Sequence, residues 1–178
     1  MKNCMKCIVI AIGLAVGVGA ASGQSLNEDL KLRASDGTDR DLFGNSVAID
    51  NGIVAVGAFM GRVGGLTTGA AYLFDAATGK ELFKLRAQDR ANNDRFGWGI
   101  AIEDDIVAVG AAFNDDHDSD SGPVHLFDAT TGLQRFKLTA SDAYGTQKFG
   151  YSIAIDNGIV AVGTAPSNGL NGSSGAAY

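Results

Sequence analysis

Apolar and polar residues alternate in short runs, and one run comes back twice. Residues 43–58, FGNSVAIDNGIVAVGA, return as FGWGIAIEDDIVAVGA at 96–111 and as FGYSIAIDNGIVAVGT at 149–164, an offset of 53 residues each time. Flanking landmarks keep that offset: Lys31, Lys84 and Lys137; Gly69, Gly122 and Gly175; Tyr72, His125 and Tyr178. Each repeat holds four strand-like stretches, in the first copy 43–50, 53–59, 70–75 and 81–87. Asp50-Asn51-Gly52 and Asp156-Asn157-Gly158 lie between the first two stretches and tolerate positive φ, which predicts a tight hairpin. DAATG at 75–79 and DATTG at 128–132 do the same between the third and fourth. No helical period runs through the chain after its leader. A period near fifty built of short strands marks a propeller or another stacked-repeat architecture, in which one unit cannot bury its apolar faces alone.

Side-chain alternation gives each sheet unequal faces. In the first stretch Phe43, Val47 and Ile49 fall on one side and Gly44, Ser46 and Ala48 on the other; the second copy sets Phe96, Trp98, Ile100 and Ile102 against Gly97, Gly99 and Ala101. A bulky face and a slim face suit sheets stacked on copies of themselves. The second stretch, IVAVGA, is apolar on both sides and therefore interior. The fourth differs: Lys84 and Arg86 alternate with Phe83, Leu85 and Ala87, and Arg135 and Lys137 with Phe136, Leu138 and Ala140. A charged strand belongs at the outer edge, where it discourages pairing with other chains. The expectation is an all-β chain of β-propeller blades, each of four antiparallel strands ordered from inside to outside.

These residues resemble the FG-GAP repeat family, known from integrin alpha-chain propellers and many secreted bacterial proteins. Phe-Gly at 43/44, 96/97 and 149/150 supplies the first half of the motif. Val-Gly-Ala at 56–58 and 109–111 and Val-Gly-Thr at 162–164 supply a variant of the second, with Phe59 and Ala112 where proline is usual and Pro166 after Ala165 in the third copy. The resemblance spans roughly residues 30–178 and implies repeats at about 31–83, 84–136 and 137–178, the last truncated inside its third strand. Propellers close with about 4 to 8 blades, so about three blades imply an incomplete propeller and a fragment of a longer product. LKLRA at 30–34 matches a fourth strand; in a full ring it could close the last blade, and in the fragment it is expected to sit unpaired or loosely paired. Calcium-binding members carry an acidic run between the first two strands; Asp50-Asn51-Gly52 leaves no room for it.

The chain opens with Lys2 and Lys6, an apolar run to about Ala21, and small residues before Gln24. This reads as a secretory signal peptide over 1–23, cut after Gly23; the run is glycine-broken and shorter than the about 20 residues a membrane span needs. Both cysteines, Cys4 and Cys7, fall in the leader, so the mature chain, 24–178, has no thiol chemistry. Export removes two lysines and no acid, so fourteen basic residues become twelve against twenty acidic ones, a net charge of −8. That balance disfavours nucleic acid and anionic membrane, which need clustered cations. The expected location is extracellular or periplasmic, with no membrane insertion of the mature chain.

One acidic run carries candidate chemistry. Asp116, Asp118 and Asp120 alternate in the loop before the third strand of the second repeat, as carboxylates around calcium often do. Against a calcium site, Phe127 stands where an EF-hand loop has glutamate, and the corresponding loops of the other repeats have no acids; a solvated acidic turn is the plainer reading. His117 lacks the second nitrogen or sulfur donor of a transition-metal site. His125 replaces a tyrosine and reads as a packing or edge residue. Trp98, aligned with Asn45 and Tyr151, reads either as blade packing or as part of a ligand groove. Ser46 and Ser152 lie on the slim face without a recurring histidine to activate them. Gly57 and Gly110 read as points of close backbone approach.

The composite expectation is a secreted, non-catalytic propeller that binds a protein or glycan through its loops. DAATGKELF at 75–83 is similar to quinoprotein-type turns, which implies as an alternative a pyrroloquinoline quinone enzyme with its active site outside this chain; Phe83 and Phe136 replace the tryptophan of that pattern. A third alternative is a calcium-stabilised structural module.

Overall fold

A computed structural model describes residues 30–114, 121–141, 147–165 and 175–178. Residues 1–23, read above as a leader, and the acidic run with Asp116, Asp118 and Asp120 lie outside the described residues. Twelve strands follow in order: β1 (Val47–Asp50), β2 (Ile53–Ala58), β3 (Arg62–Val63), β4 (Leu66–Thr67), β5 (Ala70–Asp75), β6 (Glu81–Leu85), β7 (Ile100–Glu103), β8 (Ile106–Gly110), β9 (Val124–Asp128), β10 (Gln134–Leu138), β11 (Ser152–Asp156) and β12 (Ile159–Gly163). Two four-stranded antiparallel sheets, β1-β2-β5-β6 and β7-β8-β9-β10, are the first two blades, and β11-β12 begin a third. Ala177 bridges to Gly163, and Tyr178 exchanges both backbone hydrogen bonds with Val162, so 177–178 lie where β5 and β9 lie in their blades. The hairpin β3-β4 has no counterpart among the four expected stretches. No helix occurs among the described residues, and none is long and apolar enough to cross a membrane.

Blade meets blade as the unequal faces predict. Ala55, Ala71, Leu73 and Leu85 of the first blade pack with Ile100, Ile102, Val107, Val109 and Phe127 of the second. Ala108, Val124 and Leu126 of the second pack in turn with Phe149 and Val162, flanked by Ile153 and Ile155. The join is tight enough to exclude a methyl group: a Cβ on Gly57 would sit 2.1 Å from the Gly97 carbonyl oxygen, and one on Gly110 would sit 2.1 Å from that of Gly150. The slim-face serine fits here too, since Ser46 Oγ donates to the Gly97 oxygen at 2.8 Å. Backbone bonds finish the joint, with the Phe96 amide donating to Thr68 and the Phe149 amide to Ser121, each at 3.0 Å.

The fourth strand of one blade also clasps the next. Phe83 lies over Gly132, in the β9–β10 turn, at the distance where a Cβ would meet its ring at 2.8 Å, and Leu30 does the same over Gly79 in the β5–β6 turn. Leu30 and Phe83 are 53 residues apart. The segment at 30–34, expected to be unpaired or loosely paired, belongs to none of the named strands, yet it packs where a preceding blade's outer strand would lie. Leu32 is fully buried against Val54, Val56, Tyr72 and Phe74.

Two expectations need correction. The first strand is expected from Phe43, but β1 starts at Val47, because Leu42 (φ 55°) and Gly44 (φ 88°) are left-handed and break the extended chain. Phe43 still packs, edge-on to Tyr72 and Phe74 with ring centres 5.6 and 5.8 Å away. The bulky face is not interior in every copy: Val47 and Ile49 are 52% and 62% exposed, whereas Ile100 and Ile102 are buried. Among the described residues no blade lies over β1 on that side. Phe136, on β10, is exposed because it meets no turn glycine among the described residues like that under Phe83.

Candidate functional site

The turn into each Phe-Gly begins with a left-handed non-glycine residue, Leu42 (φ 55°), Arg95 (φ 56°) or Lys148 (φ 53°). Three residues further on stand Asn45, Trp98 and Tyr151. In the second and third repeats this rim gathers rings and cations. The Trp98 ring lies 4.5 Å from Phe59 of the first blade, 5.0 Å from Phe113 of its own and 5.4 Å from Tyr151 of the third. The Arg95 guanidinium sits 3.9 Å from the centre of the Phe113 ring and 5.8 Å from that of Trp98, and the Lys148 ammonium sits 4.6 Å from Phe113. Such contacts stabilise cations over ring faces by about 0.5–1 kcal/mol each where solvent reaches them. Trp98 is half-buried and Tyr151 is 43% exposed. Trp98 thus joins three blades and still presents surface, so the two readings of it are compatible.

A second constellation recurs at the outer edge. Asp36 accepts hydrogen bonds from Tyr72 Oη at 3.0 Å and Lys84 Nζ at 2.6 Å, tying the loop before the first blade to β5 and β6. Burial favours the neutral acid, but the bonds from Lys84 and Tyr72 outweigh it and hold the Asp36 carboxyl below its usual range. Burial and the same carboxylate push the Tyr72 phenol well above its ordinary range. In the second blade Asp89, Lys137 and His125 take these places: Lys137 pairs with Asp89, and His125 Nε2 lies 3.9 Å from Asp89 Oδ1. There too burial opposes ionisation, while Lys137 and His125 together hold the Asp89 carboxyl low. His125 is fully buried in β9, a central strand, with its ring edge-on to Phe96 at 5.6 Å. It packs, and it is not at an edge. Sequence reasoning missed the aspartates, although Asp36 and Asp89 stand 53 residues apart.

The opposite rim, formed by the hairpin turns, is acidic and internally bonded. Asp50 Oδ2 accepts from the Asp104 amide at 2.6 Å, Asp104 Oδ1 from Asn51 Nδ2 at 3.0 Å, and Glu103 from the amides of Asn157 and Gly158. These bonds link the hairpin turns of successive blades. Asp128 is held far below the usual carboxylate range by the Thr130 hydroxyl and Arg135. Among the described residues no group of three or more His, Cys, Asp or Glu side chains is placed to hold a metal ion. The candidate calcium ligands Asp116, Asp118 and Asp120, and His117, lie outside the described residues.

With this geometry in view, a family model described as the FG-GAP repeat matches residues 26–74, 80–127 and 133–178. The chain belongs to the FG-GAP repeat family. Its naming Phe-Gly pairs are here the blade-to-blade joint: phenylalanine bonds back to the preceding blade, and glycine brings its carbonyl against Gly57 or Gly110. No curated protein matches the chain. Among solved structures it is similar to a computationally designed protein, Ika8, at 16% identity and a TM-score of 0.29, covering 68% of this chain and 42% of that one. The FG-GAP chain thus spans less than half the length of that structure.

Proposed function

We propose that this FG-GAP chain is a secreted, non-catalytic binding module that engages an extracellular protein or glycan through the rim carrying Trp98. The observation that supports this reading is the partly open aromatic cluster Phe59, Trp98, Phe113 and Tyr151, flanked by Arg95 and Lys148. Aromatic side chains combining apolar faces with polar handles suit recognition surfaces at low entropic cost. The leader supports export, and the acidic balance argues against nucleic acid and against anionic membrane.

The test is retention of the purified chain on extracellular polymer and envelope material, compared with Tyr151→Ala. Tyr151 is the more exposed ring, so its truncation removes binding surface with little loss of core. Retention should fall in that variant while the unfolding midpoint stays near that of the parent. Unchanged retention would remove the proposal, and substrate turnover by the pure chain would remove its non-catalytic part.

A further inference from the structure

We infer that the Trp98 rim takes an acidic polysaccharide, a pyranose ring resting on Trp98 and Tyr151 while its carboxylate or sulfate lies between Arg95 and Lys148. This rests on the binding reading above and narrows its ligand class. Two observations carry it. The first is charge pairing. Lys84, Arg135 and Lys137 each hold a carboxylate, whereas Arg95 and Lys148 form no ion pair among the described residues. Yet both lie within 5 Å of one ring centre, that of Phe113, and so within about one Debye length of each other at 0.1 M salt, roughly 10 Å. What sets these two cations apart is that they gather on one ring, with no ion pair to either among the described residues, so that a single anion could meet both.

The second observation is that the fold does not ask for these side chains. Leu42 occupies the same backbone position as Arg95 and Lys148, with the same left-handed φ, and Asn45 stands where Trp98 and Tyr151 stand. A position that accepts leucine has no structural need of a cation. The cations and rings are therefore an addition confined to the second and third repeats. The rings decide between sugar and peptide: an acidic peptide would satisfy the cations alone, whereas a pyranose uses its C–H face on the open rings and its acid on the charges.

Trp98 is the single tryptophan of the chain, so its emission reports on the site directly. The full chain would be titrated with polygalacturonate, dextran sulfate, neutral dextran and poly-glutamate, and emission followed. Polygalacturonate, dextran sulfate or both should give a saturable change that 0.5 M salt weakens, whichever responds identifying the acid as carboxylate or sulfate. Arg95→Gln and Lys148→Gln should each lose about tenfold in affinity, the scale of one charge-assisted contact. Lys80→Gln, exposed in the turn on the opposite rim, should lose nothing. Thermal midpoints of all variants separate lost binding from lost fold. Neutral dextran binding as tightly as the acidic polymers, indifferent to Arg95→Gln and Lys148→Gln, overturns the acidic ligand and leaves the binding reading intact. Poly-glutamate binding equally, indifferent to Tyr151→Ala, overturns the glycan in favour of a protein partner. Silence toward all four probes overturns the inference, and retention on envelope material then decides the broader reading separately.

Discussion

Replacing Gly57 by alanine places one methyl group inside the joint between the first two blades. Its Cβ would lie 2.1 Å from the Gly97 oxygen, 3.0 Å from the Gly97 carbonyl carbon and 2.2 Å from Ser46 Oγ. The serine can turn away, at the cost of its hydrogen bond to Gly97; the carbonyl is backbone and can retreat only if the blade edge retreats by about 1 Å, in an interior packed without slack. Overpacking of this kind costs ~1–3 kcal/mol, and the lost hydrogen bond adds ~1 kcal/mol. The expected loss is therefore ~2–4 kcal/mol, a large part of the ~5–15 kcal/mol that stabilises a typical fold.

Gly52 supplies the control. It sits in the β1–β2 turn at φ 76°, and a Cβ there would have nothing within 4 Å, so alanine meets strain but no neighbour. That strain costs ~1–2 kcal/mol. Urea unfolding followed by Trp98 emission, which senses the blade junctions, should rank the variants parent, Gly52→Ala, Gly57→Ala in falling stability. The thermal midpoint of Gly57→Ala should drop by roughly 10 °C for a chain of this size. Ser46→Ala combined with Gly57→Ala should recover only part of the loss, because the carbonyl clash remains. If Gly57→Ala proves no worse than Gly52→Ala, the blades do not meet as described and the stacking argument fails.

Further outcomes follow from the same contacts. Leu32→Ala should cost ~2–4 kcal/mol in denaturant unfolding, because a fully buried leucine leaves a cavity over the first blade; a loss comparable to a surface substitution would show that the 30–34 segment is not packed. The depressed Asp36 carboxyl contributes stability that is complete above its unfolded pKa of about 3.9 and disappears as pH falls through the lower folded value. Asp36→Asn should thus lower the melting temperature at pH 7 and converge with the parent in strong acid, and a constant difference across that range would contradict the pairing with Lys84 and Tyr72. Gly132→Ala should destabilise through its contact with Phe83, whereas Phe136→Ser, at a 64% exposed side chain, should be nearly neutral; the reverse order in thermal melts would refute the clasp.

Most of the fold could be read from the 53-residue offset, because the features that repeat are those that stacking demands. Slim residues such as Ala55 must face bulky ones such as Ile100 and Val109, Gly57 must admit the Gly97 carbonyl, and Asn-Gly must close the hairpin, so the same letters recur. What escaped was conformational. Nothing in the letters Leu42, Arg95 or Lys148 announces a positive φ, which side chains rarely adopt, and the alternation therefore carries the first strand too far toward its Phe-Gly. The aspartates Asp36 and Asp89 escaped for another reason: SDGTDRDL and QDRANNDR share only two aspartates in eight places, and the lysines that pair with Asp36 and Asp89 lie 48 residues away in sequence.

The candidate site was the least legible part, and the reason bears on how function is built into a repeated chain. Trp98 could be singled out because it differs from Asn45, but Arg95 and Lys148 gained meaning only with Phe113 between them and no ion pair to either among the described residues. Three copies of one backbone act as a controlled comparison within a single molecule. Where Phe-Gly, the slim face and the hairpin turn stay fixed, any other residue would weaken the joint, and packing alone accounts for the choice. Where Leu42, Arg95 and Lys148 occupy one left-handed position, the backbone is held constant while the chemistry changes, so the backbone alone does not account for the choice. The cost of the left-handed conformation is similar for all three, and only two of them carry a charge to the rim. On the proposed reading the difference is set by what meets the rim, and an anion is the partner that two cations gathered on one ring would select.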